Sequence, residues 1–172
     1  MSIRTILTYP DPLLRRKAHP VITFDAVLQA FVDEMAETMY DAPGIGLAAT
    51  QIGDPRQIIV VDTSKGKGNK DFMVLINPRI LSSEGRQIDE EGCLSVPELT
   101  SNVKRFKKIV VSYRNIQGEE VEIEAEDRFA VVLQHEIDHL HGILFLDHLS
   151  PLKRQLYKKK IKKLTGITEG QP

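Results

Sequence analysis

A single cysteine, Cys93, is all the thiol this 172-residue chain carries, so no disulfide can form within one copy. Long apolar runs are missing too. No segment approaches the roughly 20 apolar residues that span a bilayer, and the stretch from Met1 to Ile6 has no apolar signal core. The expectation is a cytoplasmic protein with no membrane segment and a reduced thiol. Neither sign of charge dominates: 23 Lys and Arg face 24 Asp and Glu, a formal net charge of -1. That balance gives no ground for an obligate nucleic-acid binder. Repeats and long linkers are absent, and the length suits one domain over residues 1–172 with a substantial core.

What is present reads as an α+β chain. Leu28, Phe31, Val32, Met35 and Met39 recur at helical spacing, and that helix stops before Pro43-Gly44. Its methionines belong to packing, not to a ligand set. Short β-branched runs follow at 57–62, 72–76 and 109–113, with Asn115-Ile116-Gln117-Gly118 as the turn into a strand at 120–124. Residues 65–70, Lys-Gly-Lys-Gly-Asn-Lys, read as a solvated loop. A second helix runs from about 128 to 140. Ser150-Pro151 then supplies an N-cap and an N1 proline for a basic C-terminal helix at about 150–165, ended by Gly166. The expected fold is short, mostly antiparallel strands packed around the second helix.

That second helix carries His135-Glu136-Ile137-Asp138-His139. At about 100° per residue, His135 and His139 lie roughly 40° apart on one face, so both imidazoles reach a single divalent ion. Glu136, beside the first histidine, can then hold the attacking water and carry its proton. A catalytic ion takes three protein donors. His141 falls roughly 240° round the helix from His135 and points away. In the longer protease pattern Gly142 matches, but Phe145 stands where the last histidine belongs. Only Asp147 and Glu169 follow as acidic candidates, and neither is convincing. Cys93, in Glu90-Glu91-Gly92-Cys93-Leu94-Ser95, completes a Cys-His-His set suited to a zinc-like or ferrous ion. On these residues alone two rivals stay open. One is a His-Glu-x-x-His peptidase cutting internal peptide bonds; the other is a structural metal protein or ribosome-associated module closed by a fourth ligand such as His148.

A third segment, Gly44-Ile45-Gly46-Leu47-Ala48-Ala49-Thr50-Gln51, has glycines that do not fit phosphate-binding spacings. In order, Gly-x-Gly-x-Ala-Ala-x-Gln, Glu-Gly-Cys-Leu-Ser and Gln-His-Glu-x-x-His resemble the peptide deformylase family, with similarity from about Ile6 to the C-terminal helix. The resemblance implies an enzyme that removes the formyl group from N-formylmethionyl nascent polypeptides and releases formate. It implies Cys93, His135 and His139 as metal ligands, Glu136 as the proton carrier, and the Gln51 side-chain amide with the Leu94 backbone N–H as donors to the developing oxyanion. It further implies a first helix covering one side, with the segments 44–51 and 92–94 bordering the metal. Fe(II) is the ion it implies in the cell; thiolate ligation also suits Zn(II), Co(II) or Ni(II) as substitutes and not Mg or Ca.

Val131 and Val132, four and three residues before His135, project toward the metal side of the helix. With Gly44, Ile45 and Gly46 opposite, they are the candidate substrate-binding residues for the methionine side chain. The C-terminal helix sets Lys153, Arg154, Lys158, Lys159, Lys160, Lys162 and Lys163 around Leu152, Leu156, Ile161 and Leu164, and the resemblance makes it a candidate ribosome contact. Leu156 and Ile161 are its expected packing residues. Thr100 stands where many relatives place an arginine.

Overall fold

The structure, a computed structural model, describes residues 2–64 and 70–170; most of the expected solvated loop, 65–69, lies outside them. Three helices are described: α1 (Ala26–Asp41), α2 (Asp127–Leu140) and α3 (Pro151–Thr165). Seven strands are described: β1 (Gly46–Ala48), β2 (Ile58–Val61), β3 (Met73–Glu84), β4 (Gln87–Cys93), β5 (Val96–Arg105), β6 (Lys108–Arg114) and β7 (Glu120–Glu126). The α+β class is as expected. Five strands form one antiparallel sheet in the order β1-β2-β3-β6-β7, and β4 and β5 form a separate hairpin inserted between β3 and β6.

β2 explains where the sheet sits. All four of its residues are buried, because alternate side chains serve opposite faces. Ile59 and Val61 join Leu133, Ile137 and Leu140 of α2, whereas Ile58 and Val60 join Leu28, Val32, Met35 and Met39 of α1. A four-residue apolar run between two helices is therefore buried whole, and α2 is fixed against the sheet by the face opposite its histidines. Asp25 caps α1 by accepting from the Leu28 N–H at 2.9 Å. At the turn into β7, Asn115 Oδ1 accepts from the N–H groups of Gln117 and Glu119, both at 3.0 Å.

Three expectations need correction. β3 does not stop at residue 76; it continues to Glu84 through irregular pairing with β6 between Ile76 and Arg79. Asn77 keeps the strand going at φ 53 by exchanging hydrogen bonds with both Val21 backbone groups, at 2.8 and 3.0 Å. The β4–β5 hairpin was not expected as paired strands, since its exposed positions mix Ile88 and Pro97 with polar residues and its strands alternate too irregularly. On α3 the packing residues are Tyr157 and Ile161, while Leu156 is 58% exposed, because it lies on the outer face with Leu152. Those two buried side chains join Tyr9, Leu14, Val96 and Phe145 in a third apolar cluster beneath the hairpin.

Candidate metal centre

Cys93 ends β4, and its strand places it over the histidine face of α2. Its Sγ lies 3.3 Å from His139 Nε2, and the donor atoms of Cys93, His135 and His139 all lie within 4.8 Å of one another. A tetrahedral ion with sulfur at about 2.3 Å and nitrogen at about 2.0–2.1 Å requires donors about 3.3–3.6 Å apart. The Cys93–His139 separation meets that requirement, and the donor set suits a borderline-soft divalent ion in its chemistry. His135 donates through Nδ1 to Glu91 Oε1 at 2.9 Å, which leaves Nε2 free as a donor to an ion. Burial, then the neighbouring His135, lowers the pKa of His139 and keeps it neutral, the form that ligates. Among the described residues, the buried side-chain polar atoms without a hydrogen-bond partner are His139 Nδ1 and Glu136 Oε1. Both belong to residues of this centre, and a bound group with its water would offset the desolvation of Glu136 Oε1.

Glu136 is 5% exposed. Burial pushes its carboxyl up to about 7, against the opposing attraction of His135. Gly46 makes its position possible: a Cβ there would stand 2.5 Å from Glu136 Oε2. Gln51 is fixed at both ends. Its Oε1 accepts from the Ala48 N–H at 2.9 Å, so its Nε2 faces Ser95 Oγ at 3.0 Å and Cys93 Sγ at 3.6 Å. Leu94 occupies the two-residue turn between Cys93 and Val96. A cavity of about 540 Å³ opens in front of the cluster, and every expected pocket residue, Gly44, Ile45, Gly46, Val131 and Val132, lies on its wall together with Thr100. Val132 also belongs to the core shared by α2 and the sheet.

The rival donors lie elsewhere. His148 Nε2 sits 2.8 Å from Asp138 Oδ2 and 3.3 Å from Arg105 Nη1, and His141 caps the end of α2 in an exposed position. Asp147 and Glu169 both pair with Arg15, at 2.6 and 2.7 Å. Phe145, at the position of the protease histidine, is 1% exposed and stacks on His135 with ring centroids 6.0 Å apart. Gly142 has φ 75, and any side chain there would collide with the Arg15 carbonyl.

Two residues of the centre were missed from the sequence. Glu91 lies two positions before Cys93 and so on the same strand face, a signal that was legible. Burial opposes its charge, but Arg105 and His135 outweigh it and hold its carboxyl at about 2. Arg105 carries no local signal, since it comes from the far end of β5.

A family model described as polypeptide deformylase matches residues 3–155. The peptide deformylase of Desulfotalea psychrophila is 59% identical over 164 residues, 95% of this chain and 97% of that protein. That of Thermodesulfovibrio yellowstonii is 50% identical over 162 residues, 94% of this chain and 98% of that one. The crystal structure of a peptide deformylase from Legionella pneumophila superposes with a TM-score of 0.88 at 45% identity, covering 99% of this chain and 100% of that chain. The Ehrlichia chaffeensis enzyme in complex with actinonin gives 0.88 at 37% identity, covering 97% and 100%. The three motifs around the donor cluster thus sit in a chain that is similar to these enzymes along nearly its whole length, and the chain belongs to the polypeptide deformylase family, metal-dependent enzymes that remove the N-formyl group from nascent polypeptides.

Proposed function

We propose that this chain carries out the family reaction with Cys93, His135 and His139 holding one divalent ion and Glu136 moving the proton. The observation that carries this reading is the convergence of one thiol and two imidazoles within 4.8 Å beside a buried carboxylate whose Oε1 has no partner. A divalent ion held there would supply Lewis acidity to the formyl oxygen and to water. Glu136 Oε1 takes the proton of the attacking water and returns it to the departing amine nitrogen. The Gln51 Nε2–H and the Leu94 backbone N–H donate to the oxygen on which negative charge develops, acting without a competing base. Val131 and Val132 on one side and Gly44, Ile45 and Gly46 on the other enclose the methionine side chain and exclude water from the scissile bond.

The family resemblance makes Fe(II) the cellular ion in this reading, and the thiolate donor suits Zn(II), Ni(II) or Co(II) equally well as substitutes. We read residues 1–172 as one catalytic domain whose basic helix, α3, touches the ribosome while nascent N-formylmethionyl peptides enter the cavity. A cytoplasmic site of action accords with that substrate, with the free thiol of Cys93, and with the finding that no described helix is long and apolar enough to cross a membrane. The ligand assignment is tested by Cys93→Ala. Tight metal binding should be lost, because two imidazoles leave the donor set incomplete; stoichiometric metal with normal formate release would put the third ligand elsewhere.

A further inference from the structure

The three donors come from two separately built parts of the fold: Cys93 ends β4 in the hairpin, and His135 and His139 stand on α2. The two parts meet at a buried ion cluster centred on Arg105, the last residue of β5. Its Nε and Nη2 donate to Glu91 Oε2 and Oε1 at 2.8 and 2.9 Å, and its Nη1 donates to Asp138 Oδ2 at 2.6 Å. The side chains of Arg105 and Glu91 are both 4% exposed. One guanidinium therefore grips a residue two positions before Cys93 and a residue adjacent to His139. Glu91 Oε1, held by that grip, also receives the Nδ1–H of His135 at 2.9 Å.

Stability alone does not account for this arrangement. A buried ion cluster is often no more stabilising than well-packed apolar side chains of the same volume. What it does supply is alignment, because a planar fork bound bidentately to one carboxylate and singly to another fixes both in direction. We infer that Arg105 is a positioning residue for the metal donors: its fork fastens the β4–β5 hairpin to α2, sets the spacing of the Cys93 sulfur from the two imidazoles, and keeps His135 Nε2 directed at the ion. The inference rests on the reading of Cys93, His135 and His139 as the ligands.

The test is a Co(II) titration of the metal-stripped full chain, with affinity from chelator competition and the near-ultraviolet thiolate-to-cobalt band as the report on Cys93. Arg105→Met is compared with the double variant Glu91→Leu/Arg105→Met, which leaves no unpaired charge from the Glu91–Arg105 pair, and with Arg105→Lys, which keeps the charge and loses the fork. Affinity should fall about 10–100-fold in Arg105→Met and in the double variant, as expected when groups that orient ligands are removed. The thiolate band should weaken in step, and Arg105→Lys should fall between. A double variant that folds natively and keeps both the affinity and the band of the parent protein overturns the positioning role. Absence of the band from the parent protein itself would instead remove the ligand assignment, and the inference with it.

Discussion

Replacing Gly46 with alanine tests how closely β1 and Glu136 are fitted. The new Cβ would stand 2.5 Å from Oε2, 2.9 Å from Cδ and 3.0 Å from Cγ of Glu136, whereas ordinary non-bonded contacts lie at about 3.5–4.0 Å. Gly46 does not occupy the left-handed backbone region, so alanine brings no backbone strain and the effect is purely steric. The strand has little room to retreat, since Gly46 is paired with Val61 and the neighbouring Leu47 and Ala48 are fully buried. The carboxylate must therefore move by about 1 Å, a displacement that costs about 100-fold in rate when it moves a reacting group. That factor corresponds to about 2.7 kcal/mol of transition-state stabilisation. The assay is formate release from a formyl-Met peptide, with metal content and a thermal melt on the same preparation. kcat should fall about 100-fold with KM and metal stoichiometry nearly unchanged. A kcat within about threefold of the parent refutes the fitting argument, and a rise in KM alone would make Gly46 a pocket wall only.

Gln51→Ala should lower kcat/KM by about 100-fold or more with metal retained, because the amide is read as binding charge that forms only in the transition state; a change confined to KM would contradict that role. Arg15→Met tests the acid end of the stability curve. Burial works against the charge of Asp147 and Glu169, yet Arg15 outweighs it and leaves both carboxyls below their ordinary values of 3.8 and 4.5. Depressed values stabilise the fold above those pH values and lose that contribution as pH falls through the lowered ones. The Tm difference between parent and variant should therefore be full near neutrality and shrink below about pH 4; a difference independent of pH would contradict the pairing. Neutralising Lys158, Lys159, Lys162 and Lys163, all exposed, should leave turnover of a free peptide unchanged while weakening a ribosome association that falls with salt. Ribosome binding that is unchanged, or absent from the parent, would make these lysines a solvated face.

The sequence carried α1 by its apolar spacing and α3 by the local chemistry of its start, where Ser150 accepts from the Lys153 N–H as a cap. His135 and His139 were legible for a similar reason, since helical geometry alone joins residues four apart. Cys93 could be reached only by elimination and resemblance, because β4 brings it to α2 across more than 40 positions. Strand extents were less visible. Asn77-Pro78 has the composition of a turn, and only the tertiary bonds of Asn77 to Val21 show that β3 passes through it. The β4–β5 hairpin presents Ile88 to solvent at 68% exposure and buries Glu91 and Arg105, which inverts the usual pattern of burial. Arg105 had no signature at all, since its partners on β4 and α2 are 14 and 33 positions away.

Glu136 is proposed to move protons without holding the ion, and Glu136→Gln separates those two tasks in one preparation. The amide keeps the shape of the side chain but removes its capacity as a base. Metal content and formate release should be measured together, with metal remaining stoichiometric and formate release falling nearly to the uncatalysed level. Robust turnover by this variant would contradict the proton-transfer role, and loss of the ion would make Glu136 a ligand.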